Sequence, residues 1–354
     1  MVDVSAKTTS TYKGPMPKHT DTINGDNTRV NINTHEFLSD TSPKDKPWDQ
    51  HKTDTVMTSW VLKLPKAQGD FHRKAERMDK CAESLDFAFA PDEHGEIKYK
   101  LENARFCRVR NCPTCQWRRS LLWKAKFYKA LPGIVALAPA GRWIFATFTI
   151  KNCPINSLGT SLKAMNDAWN RLRLRKEFEN VIGWVRTTEV TRNAKTNEAH
   201  PHFHVLFLVK STYFKGPNYI SKDKWEAAWS SALRVDYIAH VDVKAVKDKR
   251  TGETVKTTDS AALAGAVAET LKYAVKPADM FSNHEFFYEL CRQINRKRFV
   301  ASGGVLKHLF KDEKKEEELL LKDEDDSEPK TKEKKATIKF NFDGSVKRYA
   351  RRRK

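Results

Sequence analysis

In the run His200-Pro201-His202-Phe203-His204 two imidazoles stand one residue apart, and His202 to Val209 has the apolar, branched and aromatic make-up of a strand. Strand side chains alternate between faces, so His202 and His204 project together while Phe203, Val205 and Phe207 turn the other way. His200 shares their parity, with Pro201 making the start of the strand irregular. Two neighbouring imidazoles can hold a divalent cation through cis nitrogens, and Mg²⁺ or Mn²⁺ would also ask for an oxygen ligand. Glu189 is the candidate: it closes the strand Trp184 to Val190, and a polar turn would fold that strand back so that Glu189 lies beside His202. A solvated strand face or a satisfied core histidine fits the same residues.

A second group lies downstream. Glu269 and Tyr273 are one helical turn apart and share a face, with Lys272, also taken as a DNA contact, and Lys276 flanking them and Val267, Leu271 and Ala274 opposite. A tyrosine hydroxyl can attack phosphorus, ammonium groups can steady the charge that develops, and a carboxylate can activate water for a second cleavage. Taken in isolation, this stripe fits an ordinary solvated helix face better.

A third group is made of thiols. Cys107, Cys112 and Cys115 are bunched, and Cys112-Pro-Thr-Cys115 is a CxxC knuckle whose tight turn lets two thiolates reach one zinc ion. A closed tetrahedral site needs four ligands, so Cys81 is taken as the fourth, with His72 in reserve. Metal-free structural thiols are the alternative. Cys153 and Cys291 stand alone in apolar surroundings and read as buried thiols. Arg108, Arg110, Arg118, Arg119, Lys124 and Lys126, interleaved with Trp117 and Trp123, give this region a basic, aromatic surface suited to phosphate contact.

The elements that must position these groups follow from periodicity. Trp143 to Ile150, Trp184 to Val190, His202 to Val209 and Ile238 to Ala245 read as strands; Phe71 to Leu85, Leu158 to Phe178, Lys222 to Leu233 and Ala261 to Lys276 read as helices. That order predicts an α+β fold around a mostly antiparallel sheet. Residues 1–45 are polar and predicted to be a disordered leader, residues 46–130 a helical, zinc-binding, DNA-contacting region, and residues 131–310 the catalytic domain. Residues 311–354 are predicted to be a charged, disordered tail, apart from a short strand at Thr337 to Phe342.

Lys and Arg number 65 against 45 Asp and Glu in 354 residues, a formal charge of +20 that favours a polyanionic partner. The most apolar stretch, Ile134 to Ile150, is interrupted by Pro139, Gly141 and Arg142, which excludes a spanning helix there. No apolar secretory segment opens the chain, so a cytoplasmic location is expected, and six cysteines in a chain of this size are no disulfide framework.

Taken in order, the motifs resemble the rolling-circle replication initiator (Rep) proteins of small plasmids, in the HUH endonuclease superfamily. The resemblance runs from Lys46 to Phe310 and rests on Phe106 to Ser120, the strand Ala146 to Asn152, His200 to Leu206 and Glu269 to Asp279. It implies an HUH-type central antiparallel sheet flanked by helices, and a site-specific nickase and strand transferase acting on double- and single-stranded origin DNA, with host helicase and polymerase as partners. It puts a catalytic Mg²⁺ or Mn²⁺ on His202 and His204, the nucleophile on Tyr273 and a terminating, water-activating carboxylate on Glu269. One tyrosine plus a glutamate matches the single-tyrosine branch. Three other readings stay open at this point: a transposase, a relaxase of the same superfamily, and a non-catalytic zinc-containing DNA-binding regulator.

Overall fold

The computed structural model describes residues 36–41, 46–67, 69–91, 97–259, 261–272, 280–281, 283–309 and 337–352. In chain order these carry α1 (Leu38–Thr41), α2 (Lys46–Lys63), α3 (Phe71–Asp79), β1 (Ser84–Pro91), β2 (Ile97–Ala104) and α4 (Pro113–Leu137). There follow β3 (Arg142–Thr149), α5 (Leu158–Leu172), β4 (Val181–Arg192), β5 (Ala199–Val209), α6 (Lys222–Leu233), β6 (Val241–Ala245) and α7 (Ala264–Thr270). The chain closes with α8 (His284–Gln293), β7 (Val300–Gly304), α9 (Val305–Leu309), β8 (Thr337–Asp343) and β9 (Arg348–Arg351). Two compact units result: residues 1–115, 277–284 and 321–354 form the first, residues 116–276 and 285–320 the second. The units do not follow the linear partition of the sequence, because their border falls inside α4 and the end of the chain belongs to the first unit.

The first unit holds a four-stranded antiparallel sheet in the order β2-β1-β8-β9. Half of that sheet comes from the segment whose composition predicted a disordered tail; the expected strand at Thr337 is there, and β9 pairs with it. The reason is local alternation: Ile338, Phe340 and Phe342 share one strand face, and Phe340 and Tyr349 are fully buried. The leader's last residues are also structured, since Phe37 bridges to Ala350 and Leu38 is buried. The rest of the leader lies outside the described residues. The helix expected over Phe71 to Leu85 stops at Asp79, and Ser84 already starts a strand. The alternating Leu85, Phe87 and Phe89 override the helical spacing before them.

The second unit holds a five-stranded antiparallel sheet, β6-β3-β5-β4-β7, packed on both faces. On one face Phe148, Phe203, Val205 and Phe207 meet α5 and α6 through Met165, Trp169, Trp225 and Trp229. The helix α5 forms because Leu158, Leu162, Met165, Trp169 and Leu172 recur at helical spacing and all are buried. On the other face Trp143, Val185, Leu206 and Leu208 meet Phe127 and Ile134 of α4 and Val267 of α7. Full burial of such side chains contributes roughly 1.5–3 kcal/mol each, enough to fix the register and therefore which residues share a face. The expected α+β class and antiparallel sheet are what the structure has.

Candidate metal centres

Register assembles the first centre. Glu189 of β4 is the Cα partner of His202 on β5, and His204 lies between Thr147 of β3 and Thr187 of β4. All five point to the face that carries Leu206 and Leu208, at the end where apolar residues give way to polar ones. The Nε2 atoms of His202 and His204 lie 3.0 and 2.7 Å from the same oxygen, Oε2 of Glu189. The three side chains are buried, and their ligand atoms lie within 4.8 Å of one another.

The outer ring nitrogens are oriented by neighbours. His202 Nδ1 is 3.3 Å from the His200 carbonyl oxygen, which can only accept, so a proton on Nδ1 has a partner there when Nε2 is turned to a bound cation. His204 Nδ1 is 3.2 Å from Thr147 Oγ1, and its ring stacks on Phe145. Burial would raise the Glu189 carboxyl pKa, yet hydrogen bonds from His202, His204 and Lys272 hold it well below the usual carboxylate range. Two imidazole nitrogens and an ionised oxygen about 3 Å apart are what cis ligands at ~2.1 Å from one octahedral cation require, so the residues fit the group.

A cationic side chain already reaches this carboxylate. Thr187 Oγ1 donates to the Thr270 carbonyl at the end of α7, and two residues on, Lys272 Nζ lies 2.9 Å from Glu189 Oε2 and 2.5 Å from Glu269 Oε1. Lys272, read from the sequence as a DNA contact, sits in the structure on the two carboxylates. Glu269 is half exposed and faces water. Tyr273 and Lys276, the expected nucleophile and its ammonium neighbour, lie outside the described residues.

The second centre belongs to the first unit. Cys81, which follows α3, meets Cys107, Cys112 and Cys115 with all four thiols buried. Sulfur separations are 3.6 Å for Cys81–Cys115 and Cys107–Cys115, and 3.7 Å for Cys81–Cys112. A tetrahedral zinc with ~2.3 Å bonds sets sulfurs about 3.8 Å apart, so this donor set also fits its metal, and His72 is not part of it. Burial opposes ionisation of Cys112, but hydrogen bonds from Cys107, Cys115 and Cys81 bring it well below the ordinary thiol range. Sequence reasoning missed the surroundings: Lys52 is 2% exposed and donates to the carbonyls of Asp79 (2.7 Å) and Cys81 (2.8 Å), Arg77 donates to the Cys107 carbonyl, and Thr55 Oγ1 lies 3.5 Å from Cys112 Sγ. Burial pushes the Lys52 ammonium toward its neutral form, and hydrogen bonds among the thiols together with burial do the same to Cys81 and Cys107; with zinc bound, Lys52 would supply the positive charge that a zinc-tetrathiolate dianion needs nearby.

The sequence profile of the Rep_1 replication-protein family matches residues 98–350. The chain belongs to that family. Among its relatives, a "Protein rep" of Lactiplantibacillus plantarum is 36% identical over 282 residues, covering 77% of this chain and 84% of that protein. Another from Streptococcus pneumoniae serotype 2 is 33% identical over 272 residues, covering 76% and 80%. A third, from Bacillus amyloliquefaciens, is 35% identical over 259 residues, covering 68% and 74%. No solved structure matches. The resemblance to plasmid Rep initiators drawn from the four ordered motifs stands on these matches.

Within this Rep-family chain the basic positions near the thiols are not equivalent. Arg108 is exposed, Arg110, Arg118 and Arg119 are half-buried, and burial lowers the pKa of Arg118. Cys153 and Cys291 are buried thiols. Among the described residues no helix is long and apolar enough to cross a membrane.

Proposed function

We propose that this Rep-family protein initiates plasmid rolling-circle replication by nicking one strand of its origin and later rejoining or releasing it. The observation that carries the reading is Glu189 Oε2, which lies against both imidazole Nε2 atoms and against Lys272, the residue that precedes Tyr273 in the chain. Glu189, His202 and His204 hold a divalent cation, Mg²⁺ or Mn²⁺, whose part when bound is to polarise the scissile phosphate. Cys81, Cys107, Cys112 and Cys115 hold a structural zinc, supported by their sulfur spacing.

The protein's own groups perform the transfer. The Tyr273 hydroxyl oxygen attacks phosphorus and the bond to the 3′ oxygen breaks, leaving a 3′-OH for polymerase and a 5′-phosphotyrosyl link that conserves the bond energy. Lys272 and Lys276 offset charge on the phosphate. Glu269, half exposed beside Lys272, activates water for the terminating cut, in which no second tyrosine takes part. Arg108, Arg110, Arg118 and Arg119 contact the DNA backbone.

The test is cleavage of a single-stranded origin oligonucleotide with sequencing of the ends. Tyr273→Phe is expected to form no covalent adduct, whereas Glu269→Gln forms it, starts replication and accumulates over-long single strands. Equal loss of adduct in both variants would move Glu269 to the first step. No metal-dependent cleavage by the wild type would leave a non-catalytic DNA-binding regulator.

A further inference from the structure

Lys272 reaches the metal triad through the way α7 ends. Val267 and Leu271 share a core with Val185, Leu206 and Leu208, on the sheet face that carries the triad. The Leu271 amide closes the last turn on the Val267 carbonyl. Lys272 follows at the polar end of that face, its Nζ 2.9 Å from Glu189 Oε2 and 2.5 Å from Glu269 Oε1. The two carboxylates it bridges have different settings: the Glu189 side chain is 3% exposed and that of Glu269 49%. A buried carboxylate needs a counter-charge close by, whereas an exposed one is served by water.

Two sources can supply the charge that Glu189 needs. Lys272 is one, and a divalent cation on Glu189, His202 and His204 is the other. A cation bound ~2.1 Å from Oε2 would stand no more than about 5 Å from the Lys272 ammonium as it lies, because both touch the same oxygen. In buried surroundings a double and a single positive charge at that range repel each other, and one carboxylate does not offset both. Glu269 gives the ammonium an alternative, since its Oε1 already touches Nζ from the more exposed side.

We propose that Lys272 is a positioning residue that competes with the divalent cation for Glu189 Oε2: it holds the carboxylate ready for the cation and passes to Glu269 when the cation binds. The inference rests on the reading of the triad as a cation site and adds to it the residue that sets the site's affinity. Because Lys272 directly precedes Tyr273 in the chain, the exchange ties loading of the site to the partner of the nucleophile's neighbour. Leaving Glu189 also frees Lys272 to offset charge on the phosphate only once the cation is in place.

The test measures Mn²⁺ binding to the full-length protein without DNA, through loss of the free-ion paramagnetic resonance signal. The His202→Ala/His204→Ala variant marks the part of the binding that belongs to the triad. Lys272→Met, which keeps most of the stem and removes the charge, is expected to bind Mn²⁺ about tenfold more tightly than wild type. Lys272→Gln should match it, so that the gain follows charge rather than packing, and Lys272→Arg should bind no more tightly than wild type. Glu269→Gln, which takes away the ammonium's second partner, is expected to weaken Mn²⁺ about fivefold on its own but less than about twofold when added to Lys272→Met. Plain through-space attraction would make Glu269→Gln act alike in both backgrounds. That result, or Lys272→Met binding like wild type, overturns the exchange while the triad remains a cation site. Mn²⁺ bound by Lys272→Met and not by wild type supports the competition in its strongest form. No triad-dependent Mn²⁺ in either protein overturns the cation reading itself, and this inference with it.

Discussion

Oε2 of Glu189 is shared by three cationic or hydrogen-bonding neighbours, two imidazoles and an ammonium, all within 3.0 Å. Removing either imidazole deletes a proposed metal ligand but leaves the register, which Leu206 and Leu208 fix from the same face. His202→Ala and His204→Ala are therefore expected to abolish metal-dependent nicking while duplex binding, read by gel mobility shift, changes by less than about threefold. Retained cleavage in the double variant would remove the triad from the reaction. A second residue-scale outcome concerns Asp54 of α2, buried with the Gln50 amide at 2.9 Å as its side-chain donor among the described residues. Burial raises its pKa from 3.8 to about 6. A raised acid favours the folded state while protonated, so that contribution is complete below pH 3.8 and lost as pH rises through 6. Asp54→Asn should then stabilise the protein by about 2–3 kcal/mol at pH 8, with the gain vanishing toward pH 4, in urea unfolding run across that range. The triad was legible because strand parity alone aligns two histidines and a hairpin supplies the glutamate. The ammonium at Glu189 was not, because Lys272 reaches that carboxylate only through the packing of α7 on the sheet.

Elements were legible where one period dominated. The strands around the histidines and the helix Lys222–Leu233 were anticipated closely, the helix starting at Ser221, whose side chain accepts from the Lys224 amide. The hairpin β1–β2 was missed because helical spacing from Phe71 ran on into it. Helix α7 ends at Thr270, two residues before Lys272: the Thr187 hydroxyl donates to its last carbonyl, a tertiary contact no local pattern contains. The edge strand β7 depends on its glycines in a way that can be measured. Gly304 has φ +60, and an added Cβ would strike the Ile182 carbonyl across the ladder; at Gly303 a Cβ would meet the Trp184 ring at 2.5 Å. Gly304→Ala is expected to cost about 2–4 kcal/mol, combining left-handed strain with the collision. Gly252→Ala, at φ +71 with nothing within 4 Å, meets the strain alone and should cost roughly 1 kcal/mol. Similar losses at both positions in chemical denaturation would mean that β7 yields to the added methyl.

At the scale of the whole molecule, composition gave the right class of partner for a replication protein but the wrong account of the chain's end. A net charge of +20 and a run of Lys and Arg after residue 330 suggested a solvated arm, and charge counting cannot see that apolar side chains alternate within it. The structure spends that alternation on the first unit: β8 lies between β1 and β9, so removing it takes away one whole side of β1's hydrogen bonding. Tyr349 is fully buried, its hydroxyl donating to the Ala82 carbonyl next to Cys81 and its amide to Asp49 at 2.8 Å. Phe342 lies 5.8 Å from the buried Lys52 ammonium. The thiol centre is therefore stabilised by residues more than two hundred positions away in sequence. Truncation after Leu309 should release zinc and expose the first unit to protease, while the second unit, with its own two cores, keeps its fragments protected. Tyr349→Phe, which deletes one hydrogen bond and preserves the ring, should cost only about 1 kcal/mol and retain the metal. If the truncated chain kept full zinc content and an unchanged protease pattern, the hairpin would be an ornament on a unit stable without it. Loss of zinc in Tyr349→Phe as well would mean that the Ala82 carbonyl, rather than sheet pairing, is what positions Cys81.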